Sequence, residues 1–412
     1  MGKKNVVAWN IKDEPGPNMW GDVFFSFDKA SGYNQETLWN QLTVGYEMAS
    51  GIDPSRISMF NLAVATARSW LGSFGKDGQP VSAAITRYRA YLDNLNILYQ
   101  CPIWSYDYYP IRNKLKDNPL VEGKKEVLEG QYDIEYDMFF TDLGIFQEFT
   151  KSTNSRFWAF GLCYAHKIYN NRNWDLLDVS YPVATEGMMR FEVFCALLYG
   201  AQGISYYRYG LGRQKEHIII TNHDTASGST KYIYDQENIM APLSFKKNGD
   251  TYSLEKSEIW YNVKKIHEEI RDFQDIFLGC TVTGHKPYST SPESLSQFES
   301  ITSFQGDVTD INACIHMIGC DSPGVMLSSF TNGLANGKTR HYVAVMNLNP
   351  LDVCKVVFNL KKGHLLPKTG HLVPNANADS EFASLYEAVP NYSMTYSFTL
   401  KAGGMIAAYW DE

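Results

Sequence analysis

Apolar residues in the first half of the chain come in five short runs, starting near residues 6, 56, 101, 156 and 203, and each run ends in polar or charged residues. Between them the spacing is helical. Residues 82–100 carry Ala83, Tyr88, Leu92, Leu95 and Leu98, and residues 185–199 carry Met188, Phe191, Val193, Phe194, Leu197 and Leu198, the recurrence of one helix face. Thr185 and Glu186 suit a helix start and Gly200 a helix stop. Strand alternating with helix predicts an α/β fold built on a parallel sheet.

The pattern changes after Gly210. Residues 210–251 are rich in Gly, Asn, Asp, Ser and Thr and read as a long loop. Residues 253–278 then carry Ile259, Val263, Ile266, Ile270, Phe273 and Phe277 at steps of four and three, a single apolar stripe too short for a coiled coil and suited to a packing helix. From Cys280 onward short alternating runs, at 341–347, 355–360, 394–400 and 405–410, are separated by Gly, Asn, Asp and Pro. That predicts an all-β sandwich. The expected organisation is an α/β portion over residues 1–280, including the packing helix, and a β-sandwich over 281–412, in keeping with a chain too long for one ordinary core.

Composition narrows the partners. A net charge of −8 argues against nucleic acid, which needs clustered Lys and Arg, and favours a neutral substrate. No apolar stretch approaches the roughly 20 residues of a membrane span, and residues 5–9 are too short for the apolar core of a signal peptide. The seven cysteines are odd in number and widely spaced, which reads as buried thiols rather than disulfides or a metal site. His223 and Asp224 lack a third ligand, so neither metal nor other cofactor is implied. The 27 Tyr, 22 Phe and 9 Trp suit a sugar-binding cleft, where rings stack on pyranose faces, and equally a large aromatic core.

Candidate chemistry sits at the ends of the five runs, because a parallel α/β sheet carries its site at the carboxyl ends of its strands. Those ends hold Asp13 and Glu14, Asn61, Asp107 and Tyr109, Tyr164 and His166, and Arg208 and Tyr209. Asp13-Glu14-Pro15-Gly16 pairs two carboxylates with residues that turn the chain out of a sheet, so one acid can supply a proton while the other steers or stabilises charge. A solvated acidic turn has the same composition. Aromatic candidates for a sugar platform are Trp104, Tyr106, Tyr109, Trp158, Tyr164 and Tyr206; strand alternation sends Trp104 and Tyr106 to the side opposite Asp107, so at least half of the set belongs to the core.

Taken together, these segments resemble bacterial glycoside hydrolases with a (β/α)8 barrel followed by a β-sandwich. The resemblance rests on Lys12-Asp13-Glu14-Pro15, on the stretch from Ser105 to Pro110, on the Ala196 to Ile204 lead into a last barrel strand, on the 262–282 helix, and on the terminal Gly403 to Trp410 strand. It implies a TIM (β/α)8-type barrel lacking its first three βα units plus the C-terminal sandwich, and a glycosidase acting on oligo- or polysaccharides. Glu14 matches the family's general acid at the end of the fourth barrel strand. The nucleophilic Glu that retaining hydrolases of clan A place on the seventh strand has no counterpart in Gly161-Leu162-Cys163-Tyr164-Ala165-His166.

Two partners for Glu14 follow. In substrate-assisted hexosaminidases an Asp just before the acid orients the sugar's 2-acetamido group, as Asp13 would; alternatively Asp107 is the second carboxylate across the cleft, or an Asp that caps the loop at Pro110. Arg208 could bond a substrate hydroxyl or carboxylate or pair with a structural acid. A periplasmic or secreted location is usual for the family. The rival reading is a protein that binds carbohydrate without cleaving it.

Overall fold

Short apolar runs become adjacent strands in a computed structural model that describes residues 8–13, 35–53, 55–65, 81–117, 125–169, 176–207, 231–233, 241–248, 251–289, 299–300, 315–320, 323–360, 371–372, 378–379 and 395–411. In chain order the first elements are β1 (Ala8–Asp13), α1 (Gln35–Ile52), β2 (Ile57–Ala63), α2 (Val81–Tyr99), β3 (Ile103–Asp107), β4 (Ile111–Asp117), β5 (Lys125–Ile134), α3 (Tyr136–Ser152), β6 (Arg156–Leu162), β7 (His166–Tyr169), β8 (Leu176–Tyr181), α4 (Glu186–Leu198) and β9 (Gly203–Tyr207). One sheet has the order β1-β2-β3-β6-β9, and β1–β2, β2–β3 and β3–β6 are parallel. The expected parallel sheet is therefore present. No closed eight-stranded barrel is present among the described residues.

The chain forms two compact units, residues 1–108, 138–160 and 199–205, and residues 109–137, 161–198 and 206–412. In the first unit the core is aromatic. Tyr106 stacks on Phe146 at 4.6 Å, Trp104 meets Phe149 edge-on at 5.6 Å, and Phe60 packs on Tyr99 at 5.0 Å. The buried stripe of α2 runs through Ala84, Tyr88, Leu92, Leu95 and Tyr99. Leu98, expected on that stripe, is 57% exposed, because the inward turn of the helix is completed one residue later by Tyr99, whose ring packs on Tyr46 and Phe60.

The second unit adds β10 (Lys231–Ile233), β11 (Leu243–Asn248), β12 (Thr251–Lys256), α5 (Glu258–Asp272), α6 (Gln274–Gly279), β13 (Thr281–Ser289), β14 (Glu299–Ser300), β15 (Ile315–Cys320), β16 (Val325–Gly333), β17 (Thr339–Asn347), β18 (Cys354–Leu360), β19 (His371–Leu372), β20 (Ala378–Asp379), β21 (Thr395–Leu400) and β22 (Met405–Asp411). After residue 280 these form a six-stranded sheet, β14-β13-β16-β17-β22-β19, and a four-stranded sheet, β15-β18-β21-β20. All their pairings are antiparallel except β13–β14. The helix expected over 253–278 begins only at Glu258, since residues 251–256 pair with β11, and it breaks at Phe273. The loop expected over 210–251 contains β10 and β11; its remaining residues lie largely outside those described.

Helix α4 is buried from Gly187 to Leu198. Its first turn lies against the loops before β18 and β22 so closely that a methyl group on Gly187 would reach the Ala402 Cβ at 2.5 Å. Gly403, at φ +62°, would place a Cβ 2.5 Å from the Gly187 carbonyl oxygen and 2.7 Å from the Phe191 nitrogen. Both positions therefore need glycine, and Gly403 needs it twice over. One turn further on, the Arg190 guanidinium donates to both carboxylate oxygens of Glu269 at 2.7 Å, tying α4 to α5. Both side chains are almost fully buried.

Two substitutions test these ties by urea denaturation. Gly403→Ala combines a left-handed backbone with a steric clash and is expected to cost about 2–3 kcal/mol. Arg190→Met leaves the Glu269 carboxylate buried without its cation and is expected to cost about 3–5 kcal/mol.

Candidate functional site

Parallel register lines up one row of residues across the first unit. Asp13 pairs with Asn61, Asn61 with Ser105, and Ser105 with Trp158, so these four positions share a sheet face. Ala63 pairs with Asp107 one step further toward the carboxyl ends, on that same face. The row carries Asp13, Asn61 and Ser105, whereas Phe60, Trp104 and Phe157 stand in register in the row beside it. Asn61 is 1% exposed, and its Oδ1 accepts a hydrogen bond from Ser105 Oγ at 3.0 Å. Asp107 and Trp158 are half-buried, and the Trp158 indole lies over Gly203.

The opposite face of β3 carries Trp104 and Tyr106, at 0% and 1% exposure, packed on the Phe149 and Phe146 rings of α3. These two candidate sugar contacts belong to the core between sheet and helix. Alternation decided the matter: a residue facing a covering helix cannot also face a cleft on the other side. Glu14 and Arg208 lie outside the described residues, and of Asp13 the structure gives the backbone position only.

In the second unit a different group of rings is joined by two hairpins. Tyr109, just past β3, lies edge-on to Tyr181 at 5.8 Å and packs on Tyr207 at 5.8 Å, while Tyr164, just past β6, meets Tyr207 edge-on at 6.1 Å. Hairpin β4–β5 reaches hairpin β7–β8, with Asn113 Nδ2 donating to Ser180 Oγ at 2.9 Å. Arg112 stands 5.9 Å over the Tyr181 ring and pairs with Glu135 at 2.9 Å. His166 opens β7 and is paired in register with Tyr181. Tyr109 and Tyr164 are both buried, so they support the cluster from within.

Behind the end of β6 is a buried carboxylate. Glu192, 4% exposed, accepts the Leu162 N–H at 2.6 Å, and the Cys163 N–H in turn donates to the Tyr207 carbonyl at 2.7 Å. Burial, reinforced by the Glu192 charge, pushes the Cys163 thiol up to about 12. Burial likewise pushes Cys101 up to about 12. Burial is also the main cause raising the Tyr206 phenol, with charge on Cys163, Glu192 and Glu269 adding to it. The Tyr206 ring packs on His267 at 5.5 Å, and burial lowers the pKa of that imidazole. Tyr206 is thus a wall of the interior more than a platform for ligand.

Ser105, Tyr181, Tyr207, Arg112 and Glu192 were not singled out from the sequence. Glu192 left a signal, a carboxylate inside an otherwise apolar helical face, but its partner is a backbone amide, which no residue pattern reveals. Among the described residues, no group of three or more His, Cys, Asp or Glu is placed to hold a metal ion, and no helix is long and apolar enough to cross a membrane.

No family model matches the chain, and no curated protein matches it. Among solved structures, the product complex of the multi-modular glycogen-degrading pneumococcal virulence factor SpuA aligns with a TM-score of 0.24 and 10% identity, over 92% of this chain and 46% of that one. The catalytic module of SpuA aligns with a TM-score of 0.21 and 8% identity, over 92% and 63%. The chain spans about half of the first structure and under two thirds of the second. Similarity at this level identifies neither fold nor activity.

The buried thiols carry a testable pH dependence. Their folded-state values lie above the ordinary 9.0, so their contribution to stability is complete below about pH 9 and is lost as pH rises from there toward 12. Tyr91 and Tyr206, also raised by burial, add to the loss above about pH 10. Urea midpoints measured from pH 7 to 11 are expected to fall above pH 9, and to fall less steeply in a Cys101→Ala/Cys163→Ala double variant.

Proposed function

We propose that the chain is a glycosidase acting on oligo- or polysaccharides, with Glu14 as general acid/base and either Asp13 or Asp107 as the second carboxylate. The observation that carries this reading is the polar row on one sheet face: Asp13 ends β1 in register with Asn61, Ser105 and Trp158, with Asp107 ending β3 on the same face. Glu14 follows Asp13 directly in the chain, at the carboxyl end where parallel sheets hold their chemistry. Trp158 is the best placed ring for a sugar, being half-buried and in that row. Tyr109, Tyr164 and Tyr206 are not carried into this proposal, because they pack in the interior of the second unit. Residues 1–280 are proposed as a (β/α)8-type catalytic portion and 281–412 as its sandwich domain.

Glycoside hydrolysis requires a proton on the leaving oxygen and a negative group at the developing oxocarbenium centre. Glu14 would supply the first. With Asp13 as partner, the Asp orients and polarises the substrate's own 2-acetamido oxygen, which closes on the anomeric carbon. With Asp107 as partner, that carboxylate attacks the anomeric carbon itself or activates water.

Glu14→Gln is expected to lower kcat on an oligosaccharide by roughly 10²–10⁴-fold, since an amide cannot protonate the leaving group, and to lower it far less on a dinitrophenyl glycoside, which needs no proton. A panel of nitrophenyl glycosides separates the partners. Turnover confined to 2-acetamido sugars, with Asp13→Asn crippling, marks the substrate-assisted route; turnover of simple glucosides or galactosides, with Asp107→Asn crippling, marks the other. A wild-type rate in Glu14→Gln refutes both, and a chain that binds oligosaccharide yet hydrolyses none of the panel is a carbohydrate-binding protein.

A further inference from the structure

A cavity of about 540 Å³ opens within the second unit, where the first turns of α4 and α5 meet the loops before β18 and β22. The volume falls within the range of small-molecule sites, roughly 300–1,000 Å³. Its floor is apolar, formed by residues such as Ile259 and Pro350, and both are buried. Its charged lining is Glu186, Glu258, Arg190 and Lys401, two carboxylates and two cations, so the site favours neither an anion nor a cation. Glu186 is already engaged by Arg190 and by Lys265 Nζ at 2.7 Å.

Three further polar groups of the lining are available. Tyr132, Glu258 and Asn262 line the cavity, and their side chains make no hydrogen bond to the protein among the described residues. Glu258 and Asn262 are four apart on α5 and so lie on one face. A hydroxyl-rich ligand can use a carboxylate as acceptor and an amide as both donor and acceptor, while an apolar ligand would strip all three of water without return. A phenolic ring and apolar side chains in one lining suit the flat C–H face of a pyranose.

We propose that this cavity binds a neutral saccharide unit, with Glu258 and Asn262 on its hydroxyls and Tyr132 against its apolar face. The ligand class follows from the lining alone and stands apart from the hydrolase proposal.

Isothermal titration of the full chain with maltohexaose, cellohexaose and chitohexaose tests it. At least one is expected to bind, and a Tyr132→Ala/Asn262→Ala variant is expected to weaken that binding tenfold or more while any rate on nitrophenyl glycosides stays within twofold of the parent. Should the double variant fail to fold, judged by its urea transition, Glu258→Gln serves instead, with a weakening of severalfold expected at an exposed position. Unchanged affinity in a folded variant, or no binding of any of the three sugars by the parent chain, overturns the proposal. Failure of the hydrolase reading shows separately, as a parent chain inactive on every nitrophenyl glycoside whatever its affinity for the hexasaccharides.

Discussion

A helix with no polar face must be covered on every side, and that constraint organises the second unit around α4. Residues 187–198 are all buried, including Arg190 and Glu192. The cover comes from several directions: Val193 lies near Gly161 of β6, Arg190 is held by Glu269 of α5, Phe194 packs edge-on to Phe273 at 6.1 Å, and Cys195 meets Met346 of β17 at 3.8 Å. Tyr136 completes the wrap, with its ring edge-on to Phe191 and its hydroxyl donating to the Leu348 carbonyl at 2.8 Å. Burying two charged residues in such a helix is tolerable only because each has an immediate partner, a carboxylate for Arg190 and a backbone amide for Glu192. The antiparallel strands after residue 280 are thereby fastened to a helix of the α/β portion, through contacts so close that glycine stands on both sides of them.

Register does comparable work in the first unit. Because paired residues of a parallel sheet share a face, one row brings the positions of Asp13, Asn61, Ser105 and Trp158 onto a common face, with Asp107 beyond them. Asn61 accepts a hydrogen bond from Ser105, and that bond stiffens the middle of the row. A buried amide committed to a neighbouring hydroxyl is better placed to hold strands in register than to bond a sugar.

Much of this was legible in the residues themselves. The five runs start within two residues of the observed strands, and the boundaries of α4 follow from Thr185, which accepts the Met188 N–H as a cap, and from Gly200 at φ +95°. What escaped depends on partners distant in sequence. Residues 253–256 precede the apolar stripe that starts at Ile259 and carry no period of their own that separates strand from helix, and they pair with β11. The hairpins after β3 and β6 carry mixed polar patterns and are held by contacts across 67 residues, such as Asn113 to Ser180. No local period records an interaction of that range.

The aromatic surplus shows why composition alone could not decide between sugar cleft and core. Both uses draw on the same property, a large flat apolar surface, and differ only in whether a helix or a ligand covers it. On β3 the helix wins: Trp104 and Tyr106 are sealed by α3. On β6 the alternation reverses the outcome, since Phe157 faces inward at 1% exposure while its neighbour Trp158 emerges half-buried on the polar row. One step along a strand thus separates a core ring from a candidate platform. The distinction rests on register, which is set by strands distant in the chain, as Phe60 with Trp104 and Ser105 with Trp158, and therefore only the assembled sheet can assign each ring its role.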